Sequence, residues 1–215
     1  MKKKNKAIYL LFLMPFVYFA TACFVMWLVK TSGIYPSGSD TMYYVYRGVF
    51  VYNAIKSGNL YPLYDPAWYN GVEILRYWSP FPAYVMAFCQ YLAGGSQFGA
   101  YLFYIGGVCI LGACVWPFIG RGFNRPYLGA FIGLLWFFMP NNLCAIFIEG
   151  NLARSLSMIF LPVFIYSVYK YLYNHKLRYI PLMVFTFLLM ELCHLGYAGM
   201  VAIAVIIYGI VYMML

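Results

Sequence analysis

Six charge-poor apolar runs, 7–29, 98–120, 127–147, 155–173, 179–193 and 195–215, divide this chain and leave it little choice of fold. A helix of about 20 apolar residues crosses the roughly 30 Å hydrocarbon core of a bilayer. In hydrocarbon every backbone N–H and C=O must find its partner within the segment, so such runs fold as spanning helices. The sequence therefore reads as all-α, a polytopic transmembrane helical bundle of about six spans. Composition agrees: 65% of the residues are hydrophobic and only 9% charged, against about 25% charged in a soluble domain. A seventh apolar run, Phe81 to Ala93, has about 13 residues and falls short of the bilayer at 1.5 Å per residue. It reads as a juxtamembrane helix that starts and returns on one side.

The basic residues orient the bundle. Lys2, Lys3, Lys4 and Lys6 precede the first run, Arg121 and Arg125 follow the second, and His175, Lys176 and Arg178 follow the fourth. With 81–93 not crossing, all three clusters fall on one side, as the positive-inside rule requires. The expected protein is a multi-pass cell-membrane protein with its N-terminus cytoplasmic. The net charge of +9 belongs to this bias and does not point to nucleic acid. The first run also has a competing reading as a signal peptide, with Ala20-Thr21-Ala22 as a small-residue cleavage pattern. The apolar residues continue through Leu28-Val29, which favours an anchor. At the other end, the last run reaches Leu215 with no basic residue behind it. The chain reads as the N-terminal transmembrane module, 1–215, of a longer protein.

All five acids fall on or near the side opposite the basic clusters: Asp40, Asp65, Glu73, Glu149 and Glu191. The six cysteines lie in apolar runs without a CxxC pair, and the two histidines, His175 and His194, are far apart. That pattern argues against zinc. There is no phosphate-binding glycine loop and no serine elbow.

The long loop 30–97 carries the most specific signal. Gly38-Ser39-Asp40 precedes 41–57, and Gly58 follows. Ser39 reads as an N-cap and Gly58 as a C′ residue, so a helix lies between. On a 3.6-residue period Asp40, Tyr43, Tyr44 and Arg47 share one face, with Met42, Val45 and Val49 opposite. Such a helix lies in the membrane interface with its apolar side on lipid. Asp40 has a plain reading as a charge near a helix N-terminus, worth about 0.3–1 kcal/mol. Downstream, Tyr61-Pro62-Leu63-Tyr64-Asp65-Pro66-Ala67-Trp68-Tyr69-Asn70-Gly71 and Arg76-Tyr77-Trp78-Ser79-Pro80-Phe81-Pro82 are dense in aromatic residues. They read either as a headgroup-level belt or as ring platforms for sugars.

The strings GSDTMYYVYR, YDPAWYNG, YWSPFPAYV, EGNLARSLSMIFLP and ELCHLGYA resemble the GT-C superfamily of membrane glycosyltransferases. The nearest likeness is to bacterial membrane proteins labelled 6-pyruvoyl-tetrahydropterin synthase-related. The resemblance implies a long extracytoplasmic first loop bearing two juxtamembrane helices, and a catalytic acid at Asp40 that acts as base or holds a divalent cation, Mg or Mn. Its partners would be a polyprenyl-phosphate-linked sugar, a glycan, lipid or protein acceptor, and membrane lipids. The histidine that many members carry near the position of Tyr44, and the second acid beside the first, are both missing here.

Within this reading Arg47, Arg76 and Arg154 bind the donor phosphate as bidentate donors. Tyr44 shares the Asp40 face. Glu149 and Arg154 either pair across their short loop or serve substrate. Glu191 and His194, three residues apart on a helix end, either bond each other or close the site. A flippase or transporter, and a non-catalytic scaffold of envelope glycan assembly, are the competing functions.

Overall fold

A computed structural model describes residues 2–36 and 38–214, with side chains from residue 12 onward. Helix α1, Lys2–Ser32, carries the first apolar run; the side chains of Lys2, Lys3, Lys4 and Lys6 lie outside the described residues. The juxtamembrane pair follows as α2, Thr41–Lys56, and α3, Phe81–Leu92. Then come α4, Gln97–Gly122; α5, Pro126–Leu135; α6, Pro140–Leu143; α7, Leu152–Met158; α8, Leu161–Asn174; α9, Ile180–Cys193; and α10, Leu195–Met214. The fold is an all-helical polytopic bundle.

Among the described residues five segments are long and apolar enough to cross a membrane: Phe12–Ser32, Gln97–Gly122, Pro126–Ile148, Leu152–Asn174 and Leu195–Met214. The expected span 179–193 is the exception. Helix α9 has 14 residues, about 21 Å of helix, and is too short by length alone. Its ends are nonetheless fixed: it starts just beyond Asn174, packs along α8, and delivers His194 beside Asn151. It thus returns from one end of the fourth span to the other.

The third span is broken rather than continuous. Pro140 holds Met139 in extended backbone (φ −61°, ψ 124°), because a proline ring disfavours the helical region for the residue before it. A 3-10 turn, Trp136–Phe138, precedes the break, and a π turn, Cys144–Ile148, ends the segment. The buried Asn142 side chain donates to the freed Trp136 carbonyl at 2.7 Å. A freed backbone group at this depth needs such a protein partner.

Small residues let the spans approach. On α4 and α5, Gly120 and Gly129 face each other so closely that a Cβ on Gly120 would lie 2.7 Å from the Gly129 Cα, the close packing typical of membrane helices. Tyr18 of α1 donates to the Ala130 carbonyl at 2.8 Å. Helix α3 has 12 residues, about 18 Å, and turns back into α4 without crossing. It packs on α2, where a side chain at Gly48 would collide with Met86. The expected face pattern of α2 needs correction. Met42 is exposed, but Val45 is buried in the main core. The helix is clasped by α3 and the ends of the spans, so its apolar side is shared between lipid and protein.

Candidate functional site

The loop before α2 is docked onto the loop between the third and fourth spans by two glycines. A Cβ on Gly38 would lie 2.5 Å from the Gly150 Cα, and Gly150 itself has φ +68°, a conformation that favours glycine. Across this contact the Asp40 amide donates to the Glu149 carbonyl at 3.1 Å, and Ser39 Oγ donates to the same carbonyl at 3.0 Å. Ser39 is therefore not the cap of α2, as its position suggests; its hydroxyl reaches the neighbouring loop instead. Asp40 takes the cap position, yet its carboxylate caps nothing. Its one hydrogen bond among the described residues comes from Ser39 Oγ at 3.2 Å.

Glu149 is differently placed. Arg154 Nη1 donates to its Oε2 at 2.6 Å, and Cys144 Sγ donates to its Oε1 at 3.4 Å. Arg154 Nη2 donates to Asn141 Oδ1 at 2.7 Å. Both members of the Glu149–Arg154 pair are thus occupied, whereas Asp40 keeps most of its acceptor capacity.

Asn151 ties the cluster together. As the N-cap of α7 it accepts the Arg154 amide at 2.9 Å, and the Tyr44 hydroxyl donates to the same Oδ1 at 3.1 Å. Burial, then the charge of Asp40, raises the Tyr44 pKa to about 12, so the phenol keeps its proton. With Oδ1 fixed as acceptor, Asn151 Nδ2 points an N–H at His194 Nε2, 3.3 Å away. The Tyr197 amide donates to His194 Nδ1 at 3.0 Å. Burial lowers the His194 pKa below its ordinary 6.5, and a neutral imidazole has a single bare nitrogen. The capping amide takes that nitrogen, so Nε2 carries the proton. His194 makes no bond to Glu191 among the described residues; the field on its ring comes from Arg154, Asp40 and Glu149.

Arg47 lies one turn beyond Tyr44 and is 1% exposed. Among the described residues only its Nη2 is hydrogen-bonded, to the Ser79 and Trp78 carbonyls at 3.3 and 3.5 Å. The guanidinium stands over the Tyr43 and Trp78 rings at 5.4 and 5.9 Å. Neither ion pair among the described residues includes it. It forms part of the wall of a cavity of about 250 Å³, together with Tyr44, Tyr77, Trp78, Ser79 and His194. Arg76 does not join this group. It is exposed and paired with Glu73 at 2.6 Å, and it is not part of the cavity wall.

Trp68 and Trp78 of the long loop pack on α2, while Tyr61, Tyr64, Tyr69 and Tyr77 stay exposed. Tyr43 packs edge-on to Trp68 and Trp78 at 5.4 and 5.6 Å, and Tyr46 meets Trp68 at 4.4 Å. Asp65 belongs to this scaffold. It is buried, accepts from Tyr46 at 2.5 Å and from the Ala67 amide at 2.9 Å, and pairs through its backbone with Val72.

The structure thus brings Asp40, Tyr44, Glu149, Arg154 and His194 together, with Arg47 one turn away and Arg76 elsewhere. Sequence reasoning missed Asn151 and the Gly38–Gly150 contact. Asn151 had a usable signal, since an asparagine after Gly150 and before an apolar run is a good N-cap.

Residues 75–215, roughly two thirds of the chain, match the 6-pyruvoyl-tetrahydropterin synthase related domain, a family of membrane proteins. The chain belongs to this family. No curated protein and no solved structure matches it. Within this member of the family the matched region holds Glu149, Asn151, Arg154 and His194, while Asp40, Tyr44 and Arg47 precede it. Among the described residues no three His, Cys, Asp or Glu side chains are placed to share one metal ion.

Proposed function

We propose that this protein is a GT-C-type glycosyltransferase. It would move a sugar from a polyprenyl-phosphate donor to a glycan, lipid or protein acceptor at the extracytoplasmic face of the cell membrane. One observation carries the reading: the Asp40 carboxylate is held by backbone contacts at the rim of a polar cluster and is left unpaired. Glu149, the other acid there, is neutralised by Arg154.

The chemistry follows from that difference. An acceptor hydroxyl gives its proton to Asp40 as its oxygen bonds to the anomeric carbon. The bond from that carbon to the donor phosphate oxygen breaks, and the electron pair leaves on the phosphate with inversion at carbon. Arg47 and Arg154 are the cations near enough to the cluster to offset the developing charge. A divalent cation fits these residues poorly. Of the two acids in the cluster, Glu149 is committed to Arg154 and Cys144 and only Asp40 is uncommitted among the described residues, and the second acid beside it is absent, so no step is routed through a metal.

The broken third span favours a second reading, a lipid flippase, because transporters build their sites at interrupted helices. Among the described residues the polar side chain that satisfies backbone at that break is the neutral Asn142, which suits a structural interruption better than ion coupling. Radiolabelled polyprenyl-phosphate sugars separate the two readings. Transfer of label to an acceptor by the wild type, and its loss in Asp40→Asn, supports the transferase. Movement of labelled lipid across vesicles without transfer supports the flippase.

A further inference from the structure

We infer that the cavity beside Arg47 is a phosphate-ester pocket built at the headgroup level of the membrane, formed by the Arg47 guanidinium, Ser79, His194 and the N-terminus of α10. The inference deepens the transferase reading and rests on it only for what carries the phosphate.

The first observation is the uncompensated cation. Arg47 is 1% exposed, its buried Nε has no partner, and no carboxylate pairs with it among the described residues. A buried charge without a counter-ion is unfavourable, and two carbonyl contacts at 3.3 and 3.5 Å with two aromatic ring faces do not neutralise it. An anion entering the adjoining space of about 250 Å³ restores the balance.

The second observation is independent of Arg47. Leu195 and Gly196 open the 20-residue helix α10 and line the same cavity. The first-turn amides of a helix point outward with partial positive charge and favour phosphate. Of these amides, Leu195 N is met by Ser79 Oγ at 3.3 Å and Tyr197 N by His194 Nδ1 at 3.0 Å. The Gly196 amide has no hydrogen-bond partner among the described residues. Donors converge from Arg47 of α2 and from the first turn of α10, which suits the tetrahedral oxygens of a phosphate better than a planar carboxylate.

Depth argues for the source. Helix α10 is one of the membrane-spanning candidates, so its first turn marks the boundary where lipid phosphates lie. A phosphate monoester or diester on a prenyl chain would place its charged group in the pocket and its chain along the apolar surface of the bundle.

The test is thermal unfolding of the purified full chain in detergent at constant ionic strength, titrated with inorganic phosphate, farnesyl phosphate or farnesol. Farnesyl phosphate is expected to stabilise the wild type at lower concentration than inorganic phosphate, and farnesol not to stabilise it. Equal potency of the two phosphates would support the pocket and identify free phosphate as its ligand. Arg47→Met should remove the response, and Arg47→Lys, which keeps the charge but loses the fork, should weaken it roughly tenfold. Gly196→Asp provides a variant that does not depend on Arg47 folding. A Cβ there meets nothing closer than His194 Cε1 at 3.5 Å, and a carboxylate in the first turn suits the helix dipole. It should stabilise the protein without phosphate and make it insensitive to phosphate. A folded wild type that does not respond to either phosphate overturns the pocket, as does a full response in folded Arg47→Met or in Gly196→Asp. Asp40→Asn separates the two ideas. Wild-type transfer in that variant, with Arg47-dependent phosphate binding intact, would remove the acid's role and leave the pocket standing.

Discussion

Arg154 and Arg47 stand at the same end of the bundle, in opposite electrostatic condition. Arg154 is partly exposed and meets Glu149 at 2.6 Å and Asn141 at 2.7 Å. Arg47 is buried, faces two aromatic rings, and has two long contacts to carbonyls. The first has the partners a structural arginine needs. The second has a cavity where its counter-ion would be. A charge kept in an unfavourable place without a partner points to a ligand, whereas a paired charge is accounted for by the fold itself.

The sharpest way to break this comparison is to remove both cations in turn. Arg47→Met is expected to cut glycosyl transfer by roughly a hundredfold or more while leaving thermal stability unchanged or higher, since an apolar chain suits that buried site better than an unpaired charge. Arg154→Met is expected to cost about 1 kcal/mol of stability by stranding Glu149, with a loss that shrinks as salt is raised. Transfer assays and melting curves on the two variants check it. If Arg47→Met unfolds the protein and Arg154→Met does not, the roles are reversed.

Next in size is the docking that brings the two regions together. Gly150→Ala places a Cβ against the Thr41 hydroxyl and backbone and strains a residue at φ +68°. It should destabilise the chain by about 1–3 kcal/mol. It should also uncouple α2 from the 149–151 loop, seen as increased proteolysis between Ser32 and Thr41.

The smallest effect is a pH dependence. Burial depresses the His194 pKa from 6.5, so the folded protein holds the ring neutral where the unfolded chain protonates it. Stability from this residue is fully present above the unfolded value of 6.5 and is lost as pH falls below it and through the depressed folded value. His194→Gln should flatten the acid side of the melting-temperature profile relative to wild type.

Much of this was legible in the sequence. Charge-poor runs located five of the six expected spans, the sixth being the shorter α9, the short 81–93 run stopped where a 12-residue helix stops, and Gly58 ended α2 with φ +86°. What local patterns could not give was partnership across the chain. Ser39 is a good cap by type, but a carbonyl more than a hundred residues away competes for its hydroxyl. Val45 sits on an apolar helix face, yet whether that face meets lipid or protein depends on α3 docking across Gly48. Arg47 and Arg154 are the same residue type on one end of the bundle, and only tertiary packing makes one paired and the other not. The break at Pro140 was readable from proline chemistry, although the apolar run passes through it unchanged.

The central claim is that Asp40 takes the proton while Arg47 holds the phosphate. Steady-state transfer from a labelled polyprenyl-phosphate sugar, measured over a range of donor concentrations, tests it most directly. Asp40→Asn should lower kcat by roughly 100-fold or more with donor KM close to wild type, and Arg47→Lys should raise donor KM with a smaller change in kcat. Wild-type kcat in Asp40→Asn, or a donor KM unmoved by Arg47→Lys, would contradict the account.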